Sequence, residues 1–103
     1  MDKALLEAVD IIVKNFAPDK VILFGSRATG SANQDSDYDL CILKRDLEHK
    51  RKTAQEIYKA LLALGLPVDI IVETPEKFSE LKANPFLIYG NIAENGEVLY
   101  EKQ

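Results

Sequence analysis

The chain has 103 residues, 47% hydrophobic and 29% charged, a balance that fits one ordered globular domain, 1–103, with a real core and no disordered tract. A net charge of −4 and a pI of about 5.0 offer no basic surface to long nucleic acid, and a polymerase working on long duplex would be expected to be more basic. Cys41 is the only cysteine, which excludes an internal disulfide and a thiolate zinc cluster. Glu7, Asp10 and Lys14 interrupt the apolar N-terminal residues, so neither a signal-peptide core nor a membrane span is expected, and the cytoplasm is the expected location.

Leu5, Leu6, Val9, Ile12, Val13 and Phe16 recur at helical spacing, with Asp2 as N-cap and Pro18 as a stop, which predicts an amphipathic helix covering a sheet. Lys20 to Phe24 then reads as a strand that Gly25-Ser26 ends sharply. Glycine at this point lets backbone approach a ligand closely, and Ser26 with the amides after it can donate to phosphate at the start of a helical turn. Taken alone, an ordinary turn is the commoner meaning of Gly-Ser; the acids downstream reverse that preference. Arg27 has two readings, a phosphate or partner contact and an exposed structural role. The string GSRATG lacks the Lys-Ser/Thr end of a P-loop and the second Gly of a dinucleotide fingerprint.

Ser31 to Ser36 is a loop, with Asp35 read as a turn residue and Ser36 as a phosphate contact or a brace for carboxylates. The next apolar run, Asp37 to Leu43, reads as a strand. Alternation along it puts Asp37 and Asp39 on one face and Tyr38 and Leu40 on the other. Two carboxylates side by side at the edge of an apolar strand repel and lose hydration, a cost that a divalent cation offsets. A metal site follows as the leading expectation.

The charged run Lys44 to Lys52 is read as a solvated helix start and His49 as a surface residue. Ala54, Ile57, Tyr58, Leu61 and Leu62 mark one face of a second helix that Gly65 and Pro67 stop. A strand, helix, strand unit of this length is a right-handed crossover, so Val68 to Val72 is expected parallel to the Asp37 to Leu43 strand. If the two strands start level, Asp69 meets the carboxylate pair. Thr74-Pro75-Glu76 opens a short helix ending before Asn84, Pro85 to Asn95 reads as a last helix, and Asn95-Gly96 turns into a strand over Val98 to Tyr100. The fold class is α+β, a small mixed sheet covered by helices.

Gly25-Ser26, then Ser36-Asp37, one residue, Asp39-Leu40, with Asp69 on a later apolar strand, resembles the nucleotidyltransferase superfamily that includes the palm of DNA polymerase β. With Gly-Ser-Arg-Ala and Ser-Asp-x-Asp-Leu, the chain is similar to the minimal nucleotidyltransferases, and the resemblance spans essentially its whole length. Where some superfamily members carry a basic residue supporting phosphate, this chain has Thr29.

The resemblance implies that Asp37 and Asp39 bind the Mg²⁺ of the nucleotide, that Asp69 completes a second Mg²⁺ site and takes the acceptor's proton, and that Gly25, Ser26, Arg27 and Ser36 contact nucleotide. It further implies ATP as substrate and, as partner, a small helical HEPN-domain toxin whose tyrosine receives AMP, since the chain is too short to present an acceptor on a second domain. Two alternatives stand beside this reading: a nucleotide-binding module that neutralises its partner by contact alone, and a nucleotidyltransferase acting on a small molecule.

Overall fold

The computed structural model describes residues 2–33 and 35–103. Helix α1 spans Lys3–Phe16, β1 Lys20–Phe24, α2 Ser26–Thr29, β2 Tyr38–Leu43, α3 Lys50–Leu61, β3 Val68–Glu73, α4 Pro75–Leu81, α5 Tyr89–Asn95 and β4 Glu97–Glu101. The four strands form a mixed sheet in the order β3-β2-β1-β4. Strand β1 pairs antiparallel with both β2 and β4, while β2 and β3 are parallel, as the crossover through α3 predicts.

Alternation within the strands divides the core in two. Val21, Leu23, Tyr38, Leu40, Ile42 and Val72 face α1 and α3, where they pack with Leu5, Ala8, Ile12, Ile57 and Leu61. Ile22, Phe24, Cys41 and Leu43 face the other way, onto Phe78 of α4 and Ile92 of α5. The second layer is thinner, built from two seven-residue helices against fourteen and twelve residues on the first face. Asp39 and Asp69 belong to that thinly covered second face.

The predicted caps form. Asp2 Oδ1 accepts from the amides of Ala4 and Leu5 at 2.9 and 3.4 Å, and Thr74 Oγ1 accepts from Lys77 N at 3.1 Å with Pro75 in the first turn. Three expectations change. The last helix starts at Tyr89 rather than Pro85, because residues 81–87 close two turns, Asn84 N on Leu81 O and Leu87 N on Asn84 O. Helix α3 starts only at Lys50, and a 3-10 turn over Leu62–Leu64 follows it, with Gly65 as the left-handed cap of that turn. At this end the helix turns Leu62 out of the core, where it is 78% exposed while Leu61 is fully buried.

The rotation has a measurable consequence. Leu61→Ala should lower unfolding free energy by about 2–5 kcal/mol, whereas Leu62→Ala should change it by less than about 0.5 kcal/mol, both read from urea melts. Equal losses would place the two leucines on the same buried face.

Candidate active site

The site is assembled at one end of the sheet, where β1 ends and β2 and β3 begin. Antiparallel pairing sets Phe24 opposite Asp39, and parallel pairing sets Asp39 opposite Asp69. The level start of β2 and β3, conditional in the sequence, is thus a fact of the register. Directly opposed residues on neighbouring strands share a face, so the Asp39 and Asp69 side chains leave the sheet on the same side, from strands about 4.8 Å apart. Asp37, expected as the first residue of this strand, lies one residue before β2 and is exposed, so strand alternation does not set its side chain beside that of Asp39.

Gly25 defines the floor of this corner. Its φ of 73° and ψ of −157° are open to glycine and strained for other residues. A methyl group on its Cα would overlap Asp39 Oδ2 and come within 3.1 Å of Asp39 Cγ. The Asp39 carboxylate therefore lies directly against backbone. Ser26 follows as the first residue of α2, whose turn is closed by Ala28 N and Thr29 N donating to Gly25 O at 3.1 and 3.2 Å.

Electrostatics match the packing. The Asp39 carboxyl is held above its ordinary pKa, first by loss of hydration and then by the negative charges of Asp69 and Asp37. Its ionised form is thus disfavoured by surroundings that a hard cation would reverse, and the carboxylate oxygens at this corner are the donor type that Mg²⁺ takes. Among the described residues, no three His, Cys, Asp or Glu side chains already close on a single point. Sparse protein ligation is compatible with Mg²⁺, which keeps waters or substrate phosphates as further ligands.

Arg27 and Ser36 lie beside these acids in a supporting arrangement. Arg27 Nε donates to Ser36 O at 2.9 Å, and its guanidinium carbon sits 3.9 Å from the centre of the Tyr38 ring. Tyr38 belongs to the α1-facing side of the sheet, and its hydroxyl donates to Asp2 Oδ2. A chain of contacts thus runs from the N-terminus of α1 through Tyr38 and Arg27 to the loop that delivers Asp37. The Ser36 hydroxyl is turned back on its own loop, accepting from Asn33 N at 3.1 Å.

Two residues outside the sequence motif take part in this end of the molecule or mirror it. Tyr58 of α3 reaches the edge of β3, where its hydroxyl donates to Asp69 Oδ1 at 3.2 Å and accepts from Ile70 N at 2.8 Å. Burial leads the influences that raise the Tyr58 pKa. Glu73, at the opposite end of β3, is only 4% exposed and is neutralised by Lys50 Nζ at 3.0 Å, with Tyr89 and the Thr74 amide as further donors. Helical spacing placed Tyr58 on the apolar face of its helix, and only its being a tyrosine, with a hydroxyl at the tip of a long arm, signalled otherwise. Cys41 stays buried, and burial followed by the Glu73 charge pushes its thiol up to about 12, so it is a core residue rather than a nucleophile.

Comparison with known proteins bears on the family and the fold. Residues 5–98 match the model of the nucleotidyltransferase domain family. A Methanocaldococcus jannaschii protein, whose name carries the provisional description protein adenylyltransferase, is 33% identical over 102 residues, covering 96% of this chain and 97% of that protein. Protein adenylyltransferase MntA of Aphanizomenon flos-aquae is 31% identical over 84 residues, covering 80% of this chain and 56% of its own length. A crystal structure of a toxin-antitoxin complex with AMP-PNP superposes with a TM-score of 0.64 at 22% identity, over 95% of this chain and 73% of that one, a likeness of fold. The chain belongs to the nucleotidyltransferase domain family. No helix among the described residues is long and apolar enough to cross a membrane.

Two outcomes follow from the crowding around Asp39. Its raised pKa means that the unfolded chain ionises this carboxyl more readily than the folded one, so the destabilisation is absent below the ordinary carboxylate range, grows as pH rises through the folded pKa, and is complete above it. Asp39→Asn should therefore raise Tm in metal-free buffer at pH 7 and lose that advantage near pH 3, as calorimetry would read. Gly25→Ala should lower stability by about 1–3 kcal/mol through backbone strain and displace the Asp39 carboxylate; a melt identical to the parent's would show that the strained φ is relieved at no cost.

Proposed function

We propose that this protein transfers AMP from ATP, with Mg²⁺, to a hydroxyl of a partner protein, a tyrosine of a small helical HEPN-domain toxin, and so acts as the antitoxin of a toxin-antitoxin pair in the cytoplasm. The observation that carries the proposal is the meeting of Asp39 and Asp69 on paired strands, with the Asp39 carboxylate pressed against Gly25 at the mouth of α2. Support for AMP and a protein acceptor comes from the names of the relatives, protein adenylyltransferases from an archaeon and a cyanobacterium. Support for a toxin partner comes from the fold neighbour, a toxin-antitoxin complex with an ATP analogue.

In this reading Asp37, Asp39 and Asp69 hold the Mg²⁺ ions, two being expected. When bound, the ions draw in the triphosphate and stabilise charge on the attacking and leaving oxygens. The residues themselves do the rest. Gly25 gives the Asp39 carboxylate room against the backbone where the nucleotide is to be held, and Ser26 offers its hydroxyl and amide to phosphate oxygens. Arg27 and Ser36 contribute by fixing the loop, since their polar groups are engaged with each other and with Tyr38 and Asn33. Asp69 takes the proton of the acceptor hydroxyl as the oxygen attacks the α-phosphorus and pyrophosphate leaves. Positioning and charge stabilisation supply most of the rate in such transfers, which lets few residues suffice.

Incubation with ATP, Mg²⁺ and the product of the adjacent reading frame should add one or more AMP units to that product by intact mass spectrometry, and Asp39→Asn should abolish the addition. Asp69→Asn should keep nucleotide binding while slowing transfer by about a hundredfold or more. A tight complex that silences the partner with no mass added would replace the enzyme reading with neutralisation by contact. EDTA should weaken nucleotide binding in calorimetry, because triphosphate would then face Asp37 and Asp39 as like charges.

A further inference from the structure

Strand β3 is an edge of the sheet, so half of its backbone groups point away from β2 with no strand to receive them. Tyr58 meets this edge from α3. A phenol oxygen carries one proton and can accept as well as donate; here it accepts from Ile70 N at 2.8 Å, which leaves its single proton for Asp69 Oδ1 at 3.2 Å. The donor is anchored on both sides, because Ile57 beside it in α3 is fully buried in the core and Ile70 is fixed by pairing with Leu40. Asp69, by contrast, is exposed, and no other hydrogen-bond donor to its carboxylate is found among the described residues. An exposed aspartate without such a partner would sample several rotamers.

We infer that Tyr58 is a positioning residue for Asp69: its hydroxyl, locked by the Ile70 amide, holds the Asp69 carboxylate in one orientation so that its other oxygen, Oδ2, is presented to the site. This rests on the role given to Asp69 under the proposed function. Tyr58 acts through Asp69, as outer groups that orient carboxylate ligands do. The hydrogen bond also ties the third acid to α3, so the helix that covers one face of the sheet orients a side chain belonging to the other.

The test uses the full chain and Mn²⁺ as the probe. Tyr58→Phe, Asp69→Asn and the double variant are titrated with Mn²⁺ in the presence of a non-hydrolysable ATP analogue, bound ion is counted by electron paramagnetic resonance, and AMP transfer to the partner is assayed in parallel. Tyr58→Phe removes one oxygen at a solvent-exposed edge, where water can take up the Ile70 amide, so its fold and analogue affinity should be retained. It should weaken the second Mn²⁺ and lower kcat by about tenfold or more, and in the Asp69→Asn background it should alter neither. Such non-additivity separates positioning from a general structural effect, which would add in both backgrounds. Parental Mn²⁺ binding and kcat in Tyr58→Phe, or a full further loss on top of Asp69→Asn, would overturn the inference. If Asp69→Asn alone leaves Mn²⁺ binding and transfer intact, the role of Asp69 falls and this inference with it, an outcome distinct from a silent Tyr58→Phe beside a damaged Asp69→Asn.

Discussion

Everything at the working end of this molecule depends on the contact between the Asp39 carboxylate and the bare Cα of Gly25. It is a poor place for an anion: water is partly excluded, and Asp69 and Asp37 add repulsion. The folded chain maintains it because β1 and β2 are paired from Lys20 opposite Leu43 to Phe24 opposite Asp39, inside a core where Val21, Leu23, Leu40 and Ile42 are almost wholly buried. Packing of that quality holds a locally unfavourable charge in register. The strain stays at the site while the rest of the sheet supports it.

The two ends of β3 show how burial decides what an acid does. Glu73 and Asp69 point to the same face four residues apart, yet Glu73 is buried among Lys50, Tyr89 and the Thr74 amide, whereas Asp69 is exposed with Tyr58 beside it. The Glu73 pair raises the Lys50 pKa, chiefly through the hydrogen bond between them, and tethers the start of α3 to the end of β3. A buried acid fully supplied with donors is a structural device; an open one beside two further acids has charge left to offer a ligand. Helices α4 and α5 make this difference, since they reach Glu73 and Cys41 but leave Asp39 and Asp69 accessible.

The supporting contacts also explain how a four-residue helix can sit stably at the mouth of the site. Isolated helices of that length do not persist in water. Here α2 is pinned through Arg27, which is stacked on Tyr38 and bonded to Ser36 O, while Tyr38 is bonded to the residue that caps α1. The site loop is thus held by the layer on the α1 side of the sheet, opposite the face that carries Asp39 and Asp69.

Much of this was legible along the chain because it is encoded within a few residues. The caps at Asp2 and Thr74-Pro75, the strand ending at Gly25 and the alternation from Tyr38 to Leu43 are local matters of backbone geometry and period, and the motif from Gly25 to Leu40 marked the family on that basis. Contacts between residues far apart were not legible. Tyr58 meets Asp69 across 11 positions, Lys50 meets Glu73 across 23, and Tyr89 reaches Glu73 across 16. Whether such groups touch depends on how a helix is rotated and seated against the strand edge, to which hydrophobic period is blind: Leu61 and Leu62 carry the same side chain, yet one is buried and the other exposed. The sequence by itself determined the strands, the order of the acids along them and the turn that frees Gly25. Only the tertiary structure decided that Asp39 and Asp69 stand level, that Arg27 turns toward Tyr38, and that a tyrosine from the crossover helix takes hold of the third acid, because each of these is set by packing between elements rather than by propensity within one.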